Sequence, residues 1–182
     1  MRELSMHILD IAENSARAGA SHIGIFVYVD LPSDRLTFIV EDDGKGIPPE
    51  ILESLEDPFT TTRTERRVGL GIPLLAEACR RSEGDLEVCT QMGVGTRVTA
   101  WMRHSNIDRV PMGNLAQTVV TLVAGYPDRR ITLEAASGSS QFNFDTEEAK
   151  ALLDGVSITS PPVLVWLRDY LAEGLAKVEG LD

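Results

Sequence analysis

The carboxylate of Asp42 occupies a position in the sequence where a carboxylate is costly unless it binds a donor. Side chains alternate along a strand, so four residues of the predicted strand share one face: Leu36, Phe38, Val40 and Asp42. The apolar members mark the core side, where an unpaired carboxylate is unfavourable. Gly44 and Gly46 follow and leave room for a flat group to approach the backbone. The exocyclic amine of a purine would supply a donor, whereas a turn-forming Asp with a solvated side chain explains this segment equally well.

Two pairs of glycines lie where a backbone could approach phosphate oxygens. Gly69 and Gly71 directly precede a predicted helix, and free amides at a helix start attract phosphate oxygens. Gly93 and Gly95 precede Thr96, whose side chain shares the inward face of its predicted strand. Any hairpin can use such glycines, so each pair by itself is weak support for nucleotide binding.

Five polar residues share one side of the first predicted helix. They follow each other at steps of three and four, which makes them neighbours on a helix surface: Glu3, His7, Asp10, Asn14 and Arg17. Such a stripe is more often the solvated side of a helix. Its combination with the Asp42 segment and the glycine pairs favours a site.

Predicted helices and strands must bring these residues together. In the N-terminal part we predict a helix over Arg2–Ala18, strands over His22–Asp30 and Arg35–Val40, helices over Glu50–Glu56 and Gly71–Glu83, and strands over Asp85–Gln91 and Thr96–Arg103. After His104 we predict a helix over Leu115–Val123, a hairpin of Ile131–Ala135 and Gln141–Phe144, a helix N-capped by Asp145, and a last helix from Pro161 with the stripe Leu164, Leu167, Leu171 and Leu175.

The composition indicates an ordinary globular chain with an acidic surface. The chain has 182 residues, 43% of them hydrophobic, and a formal net charge of −11. A field of that sign repels phosphate backbones and anionic lipid, so we expect neither nucleic acid nor membrane as partner. Cys79 and Cys89 match no metal or redox spacing. The expected location is the cytoplasm.

Five segments in this order resemble the motifs of the GHKL ATPases, the Bergerat-fold superfamily of DNA gyrase B, Hsp90, histidine kinases and MutL. Asp10–Gly19 resembles the N box, Asp42–Ile47 the first glycine box, Asp57–Arg63 the F box of sensor kinases, Gly69–Ile72 the second glycine box, and Gly93–Thr96 the last one. The resemblance covers about the first 104 residues. It says nothing about the chain after His104.

The resemblance implies an α+β fold of the Bergerat type. This is a two-layer α/β sandwich with a mixed, mostly antiparallel sheet and helices on one face. We expect residues 1–104 to form the ATP-binding domain and residues 105–182 a small C-terminal α/β extension. The plain role of the extension is to cover an exposed face or edge of the sheet, and its functional alternative is partner docking or dimerisation.

The resemblance also implies ATP and Mg²⁺ as ligands. Asn14 would bind Mg²⁺, and Asp42 would accept from the adenine amine with Thr96 nearby. Ile47 and Phe59 would flank the base or the lid, and Arg63 would contact the γ-phosphate. The full set of implied nucleotide-binding residues is Asn14, Arg17, Asp42, Gly44, Gly46, Ile47, Phe59, Arg63, Gly69, Leu70, Gly71 and Thr96.

Asp10, four residues before Asn14, determines the expected reaction. Family members that activate a water or a serine hydroxyl carry a carboxylate there, commonly Glu, and the resemblance implies that Asp10 is a weak general base on a shorter stem. MutL-like members have an acidic residue at the position of Arg17, whereas kinases carry a basic one, which favours the kinase side.

These residues predict a regulatory protein kinase or slow ATPase, comparable to the anti-sigma serine kinases. One alternative is the ATP-binding part of a two-component kinase. Another is a nucleotide-gated interaction module with little turnover. A MutL-like repair ATPase is disfavoured by the acidic charge and the short chain. We expect a protein partner or phosphoacceptor, and a homodimer is a further option.

Overall fold

The computed structural model describes residues 3–56 and 71–181. The N-terminal elements are α1 (Leu4–Arg17), β1 (His22–Asp30), β2 (Arg35–Asp42), α2 (Pro49–Glu56), α3 (Gly71–Arg81), β3 (Asp85–Gln91) and β4 (Gly95–Arg103). The C-terminal elements are α4 (Leu115–Gly125), β5 (Arg130–Ser137), β6 (Ser140–Asp145), α5 (Thr146–Leu152) and α6 (Pro161–Leu175). Their order matches the predicted order.

The six strands belong to one sheet, in the order β3-β4-β2-β1-β5-β6. Neighbouring strands are antiparallel except β1 and β5, which pair in parallel. The predicted α+β fold with a mixed, mostly antiparallel sheet is confirmed. The predicted C-terminal hairpin is also present, with Ser137 opposite Ser140. Because β5 continues the sheet beyond β1, residues 130–145 cover what would otherwise be an exposed sheet edge.

One face of the sheet carries the helices and forms the core. Alternate side chains of the three central strands point to this face and are at most 3% exposed: Ile23, Ile25, Val27, Val29, Leu36, Phe38, Val40, Val98, Ala100 and Met102. On the opposite face Phe26, Tyr28 and Trp101 stay partly exposed. A slip of one residue would turn the whole buried row of β2 outward, so this row determines where Asp42 lies.

The helices pack onto the sheet through apolar stripes. Helix α1 contacts β1 and β2, and α4 lies between α1 and α6. The predicted stripe of α6 is confirmed for Leu167, Leu171 and Leu175, which are buried, while Leu164 is half-buried against the core. In the described part of the chain, no helix is both long and apolar enough to cross a membrane.

Two element boundaries differ from the prediction for physical reasons. Strand β2 runs two residues beyond Val40, because Asp42 still pairs with Ile23 on one side and Thr96 on the other. Helix α3 ends at Arg81 instead of Glu83. Glu83 has a left-handed backbone with φ of 56°, a conformation that cannot continue a right-handed helix.

Candidate functional site

The polar stripe of α1 faces the protein interior and not solvent. His7 is 1% exposed, and Asp10 and Asn14 are half-buried, because α3 and α4 pack beside α1. The interpretation of this stripe as a solvated helix side is therefore wrong for these three residues. Arg17, at the end of the stripe, is different. Its side chain is 63% exposed and forms an ion pair of 2.7 Å with Glu13.

Asp42 lies at the end of the inward row of β2, as the alternation predicts. Its Oδ1 accepts a hydrogen bond of 2.8 Å from the amide of Gly44, and its Oδ2 accepts one of 2.6 Å from the hydroxyl of Ser15. A carboxylate has about four acceptor positions, so these two internal bonds orient the group and leave capacity for a further donor. Thr96 lies directly opposite Asp42 on β4, so both side chains point to the same part of the site.

The glycines around Asp42 are required by the protein itself. A Cβ at Gly44 would meet the Asp42 carboxylate and Ala18. Gly46 has φ of 75°, and a Cβ there would overlap the carbonyl group of Gln91. We expected these glycines to make room for a ligand. The contacts give an additional reason, which is the close packing of the loop after β2 against α1 and the β3–β4 turn.

Thr90 connects the loop after β2 to β4, and the sequence analysis did not identify it. Its hydroxyl accepts a hydrogen bond of 2.9 Å from the amide of Ile47 and lies 3.1 Å from the hydroxyl of Thr96. It also donates to the carbonyl of Gly95 at 3.1 Å. The alternation of β3 could have found it, since Leu86, Val88 and Thr90 are the half-buried members of that strand.

Asp43 ties the same loop to the start of β1, and it was also missed. Its carboxylate accepts hydrogen bonds from the amides of Ser21 and His22, at 2.7 and 2.8 Å, and from the hydroxyl of Ser21. Burial acts to raise the pKa of Asp43, but these hydrogen bonds outweigh it, so the pKa lies below its ordinary value. The charged carboxylate is therefore the form that holds the loop.

Asp10 lies against the first residue of α3. A Cβ at position 71 would overlap the Oδ2 atom of Asp10, so only glycine fits there without a shift of the carboxylate. The position is favourable for an anion because a helix N-terminus carries partial positive charge. His7 belongs to the same group. Burial lowers its pKa, and the Gly71 backbone and the Asp10 charge partly oppose that shift.

Four of the expected nucleotide-binding residues lie outside the described residues: Phe59, Arg63, Gly69 and Leu70. In the described ranges, the structure brings Asp10, Asn14, Asp42 and Thr96 to one end of β2 and the inward side of α1. No group of three or more His, Cys, Asp or Glu side chains in those ranges could hold a metal ion. A carboxamide and carboxylates are nevertheless the oxygen ligands that suit Mg²⁺.

Comparison with protein families matches most of the N-terminal part. The family described as histidine kinase-, DNA gyrase B-, and HSP90-like ATPase matches residues 2–106. The tetrathionate sensor histidine kinase TtrS of Salmonella typhimurium is 29% identical over 107 residues, which are 57% of this chain and 18% of that protein. The sensor kinase CckA of Brucella abortus is 37% identical over 71 residues, which are 38% of this chain and 8% of that protein.

The chain therefore spans less than a fifth of the length of these two relatives. Among solved structures, the N-terminal domain of a DNA repair protein resembles it with a TM-score of 0.51 and 16% identity. The similarity covers 79% of this chain and 52% of that one. At this identity the resemblance concerns the fold alone.

Proposed function

Because the chain belongs to the family of histidine kinase-, DNA gyrase B- and HSP90-like ATPases, we propose that it binds Mg-ATP between α1 and the end of β2 and acts as a regulatory protein kinase or slow ATPase. Its N-terminal part is an ATP-binding domain related to those of sensor histidine kinases. The reaction, the magnesium ion and the role of each residue are the content of the proposal.

Asp42 would recognise the adenine. Its carboxylate is held in one orientation by Ser15 and Gly44 and keeps acceptor capacity for the exocyclic amine. Thr96 stands opposite it and belongs to a hydroxyl pair with Thr90, so it can donate to or accept from a ring nitrogen or a bridging water. Ile47 lies in the loop that Thr90 fixes and would contact the base.

Asn14 and Asp10 would act at the phosphate end. The carboxamide oxygen of Asn14 is a suitable ligand for Mg²⁺, an ion that keeps most of its shell as water and phosphate oxygen. Bound ATP supplies the phosphoryl group for transfer. Asp10 lies one turn before Asn14 on the same inward side of α1 and would accept the proton of the attacking hydroxyl or water.

The Ser15–Asp42 hydrogen bond is the observation that carries this proposal. Ser15 follows Asn14 in sequence, so the bond joins the turn of α1 that would hold the ion to the strand end that would hold the base. The adenine and phosphate residues therefore belong to one site and not to two separate polar patches.

A nucleotide-gated interaction module is the second candidate. It is favoured by the short stem of Asp10 and by the contact of its Oδ2 with Gly71, since a carboxylate engaged in this way is a poor base. The ATP-binding part of a two-component system is a variant of this candidate, because the relatives with similar segments are sensor kinases.

Calorimetry and phosphate release together test these proposals. Titration of Mg-ATP into the full chain should give saturable heat, and its absence would remove the proposed function. Asp10→Asn should leave that affinity unchanged and lower turnover by about a hundredfold, the lower end of what general-base catalysis contributes. Binding without any turnover in the unmodified protein would favour the interaction module instead.

A further inference from the structure

Two buried polar atoms on α1 have no hydrogen-bond partner within the described ranges. They are Nδ1 of His7 and Oδ2 of Asp10. Three residues separate them in sequence, so they lie on the same side of the helix, one turn apart. Buried polar atoms are nearly always paired, and these two are complementary, because one belongs to a ring that can carry a proton and the other to an acceptor.

We propose that His7 is a positioning residue for Asp10, with Nδ1–H of His7 donating a hydrogen bond to Oδ2 of Asp10 directly or through one ordered water. The inference rests on the proposed role of Asp10 as the group that accepts a proton. It satisfies both buried atoms with a single interaction.

The surroundings of His7 favour this arrangement. His7 is 1% exposed and cannot pair with bulk solvent. Burial keeps its ring neutral by lowering the pKa, and a neutral imidazole carries one N–H, at either nitrogen. An ionised Asp can only accept, so the proton between these two groups belongs on Nδ1.

Gly71 closes the opposite side of the carboxylate. Any Cβ at this position would overlap Oδ2 of Asp10, so the carboxylate lies directly against the start of α3. With His7 on one side and Gly71 on the other, Oδ2 is fixed and Oδ1 is the oxygen that can accept a proton from a nucleophile. This would compensate for the missing methylene of Asp relative to Glu, since a fixed carboxylate loses less on reaching the reactive geometry.

The tautomer of His7 provides a test that requires no turnover. In ¹⁵N NMR spectra of the full chain at neutral pH, His7 should show a protonated Nδ1 and an unprotonated Nε2. Asp10→Asn should change both shifts, while the rings of His22 and His104 stay unchanged and serve as internal controls. An unprotonated Nδ1 in the unmodified protein, or shifts that do not respond to Asp10→Asn, would overturn the inference.

Kinetics of two His7 variants provide the second test. His7→Leu removes the donor, whereas His7→Asn retains an N–H close to the position of Nδ1. We expect His7→Leu to lower kcat by about tenfold or more, because small displacements of a reacting group are costly. Its ATP affinity by calorimetry should change by less than about twofold. His7→Asn should recover most of kcat; an equal loss in both variants, or a loss of ATP affinity instead of kcat, contradicts the positioning role.

The two levels of the proposal fail in distinguishable ways. If the unmodified protein binds ATP without turnover, the role of Asp10 in a reaction is wrong, yet the NMR result still decides whether His7 and Asp10 are bonded. If neither His7 variant folds, the comparison of the unmodified protein with Asp10→Asn decides it alone. If turnover is present and only the NMR result is negative, the proposed function stands and the inference about His7 is wrong.

Discussion

The hydroxyl of Ser15 donates a hydrogen bond of 2.6 Å to Oδ2 of Asp42, a residue 27 positions later in the chain. The bond connects the inward side of α1 to the end of β2. Since the amide of Gly44 holds the other carboxylate oxygen, the group has one defined orientation before any ligand arrives. A preorganised acceptor lowers the cost of ordering on binding.

Replacing Ser15 tests this preorganisation. Ser15→Ala should weaken ATP binding by about tenfold, which is about 1.4 kcal/mol and near the lower range for a hydrogen bond to a charged group. Calorimetry of the variant measures it. Ser82→Ala is a matched control, because it removes a buried hydroxyl that has no hydrogen-bond partner within the described residues. Equal affinities for the two variants would argue against a role of Ser15 in binding.

Neighbouring carboxylates should have separable effects. Asp42→Asn should weaken ATP binding by about a hundredfold, because the carboxamide presents donors where the adenine amine also donates, and a mispaired buried group costs up to about 3 kcal/mol. Asp43→Asn should instead lower thermal stability, since Asp43 holds Ser21 and His22, and it should leave affinity within about threefold. Calorimetry and thermal melts of both variants measure this, and a reversal of the two patterns would refute the assignment.

Gly71→Ala should displace the catalytic carboxylate without unfolding the protein. The new methyl group would overlap Oδ2 of Asp10, and the end of a flexible side chain can move away. We expect turnover to fall by about a hundredfold, the effect of a misplacement near 1 Å, with little change in thermal stability. Gly125→Ala is the control, because no atom lies within 4 Å of a Cβ there. Unchanged phosphate release in Gly71→Ala would show that Asp10 does not act as a base.

Acid should weaken the turn between β1 and β2 in a defined pH range. Hydrogen bonds from Ser105 and Arg103 lower the pKa of Asp34 from 3.8 to about 2. A carboxylate whose pKa is lower in the folded state stabilises the protein above the unfolded pKa, and this contribution is lost as pH falls from about 4 to about 2. Thermal melts of Asp34→Asn and the unmodified protein should therefore converge across that range. A constant difference between pH 5 and pH 2 would contradict this.

The inward position of Asp42 could be predicted from the sequence, because strand alternation is a local property. Leu36, Phe38 and Val40 are buried as predicted, and they determine the side to which Asp42 points. The polar side of α1 was equally readable as a set. Its direction was not, because helical spacing shows which residues lie together but not whether that side faces solvent or α3.

The place of the C-terminal segment could not be read locally. The hairpin of β5 and β6 follows from alternation and the turn around Gly138, and it is present. Its parallel pairing with β1 joins strands about a hundred residues apart, from His22 with Arg130 to Val29 with Ser137. Both strands are rich in β-branched and apolar residues that would fit several neighbours, so the partner is decided by how the whole chain packs.

The sequence by itself determined the nucleotide-binding family, the succession of helices and strands, and which side of β2 is buried, because motif spacing and periodicity are properties of short segments. Only the tertiary structure decided which groups complete the site. Ser15 with Asp42, Thr90 with Ile47, and Asp10 with Gly71 are contacts between residues 27, 43 and about sixty positions apart. Such contacts depend on strand register and helix packing, which no local pattern encodes.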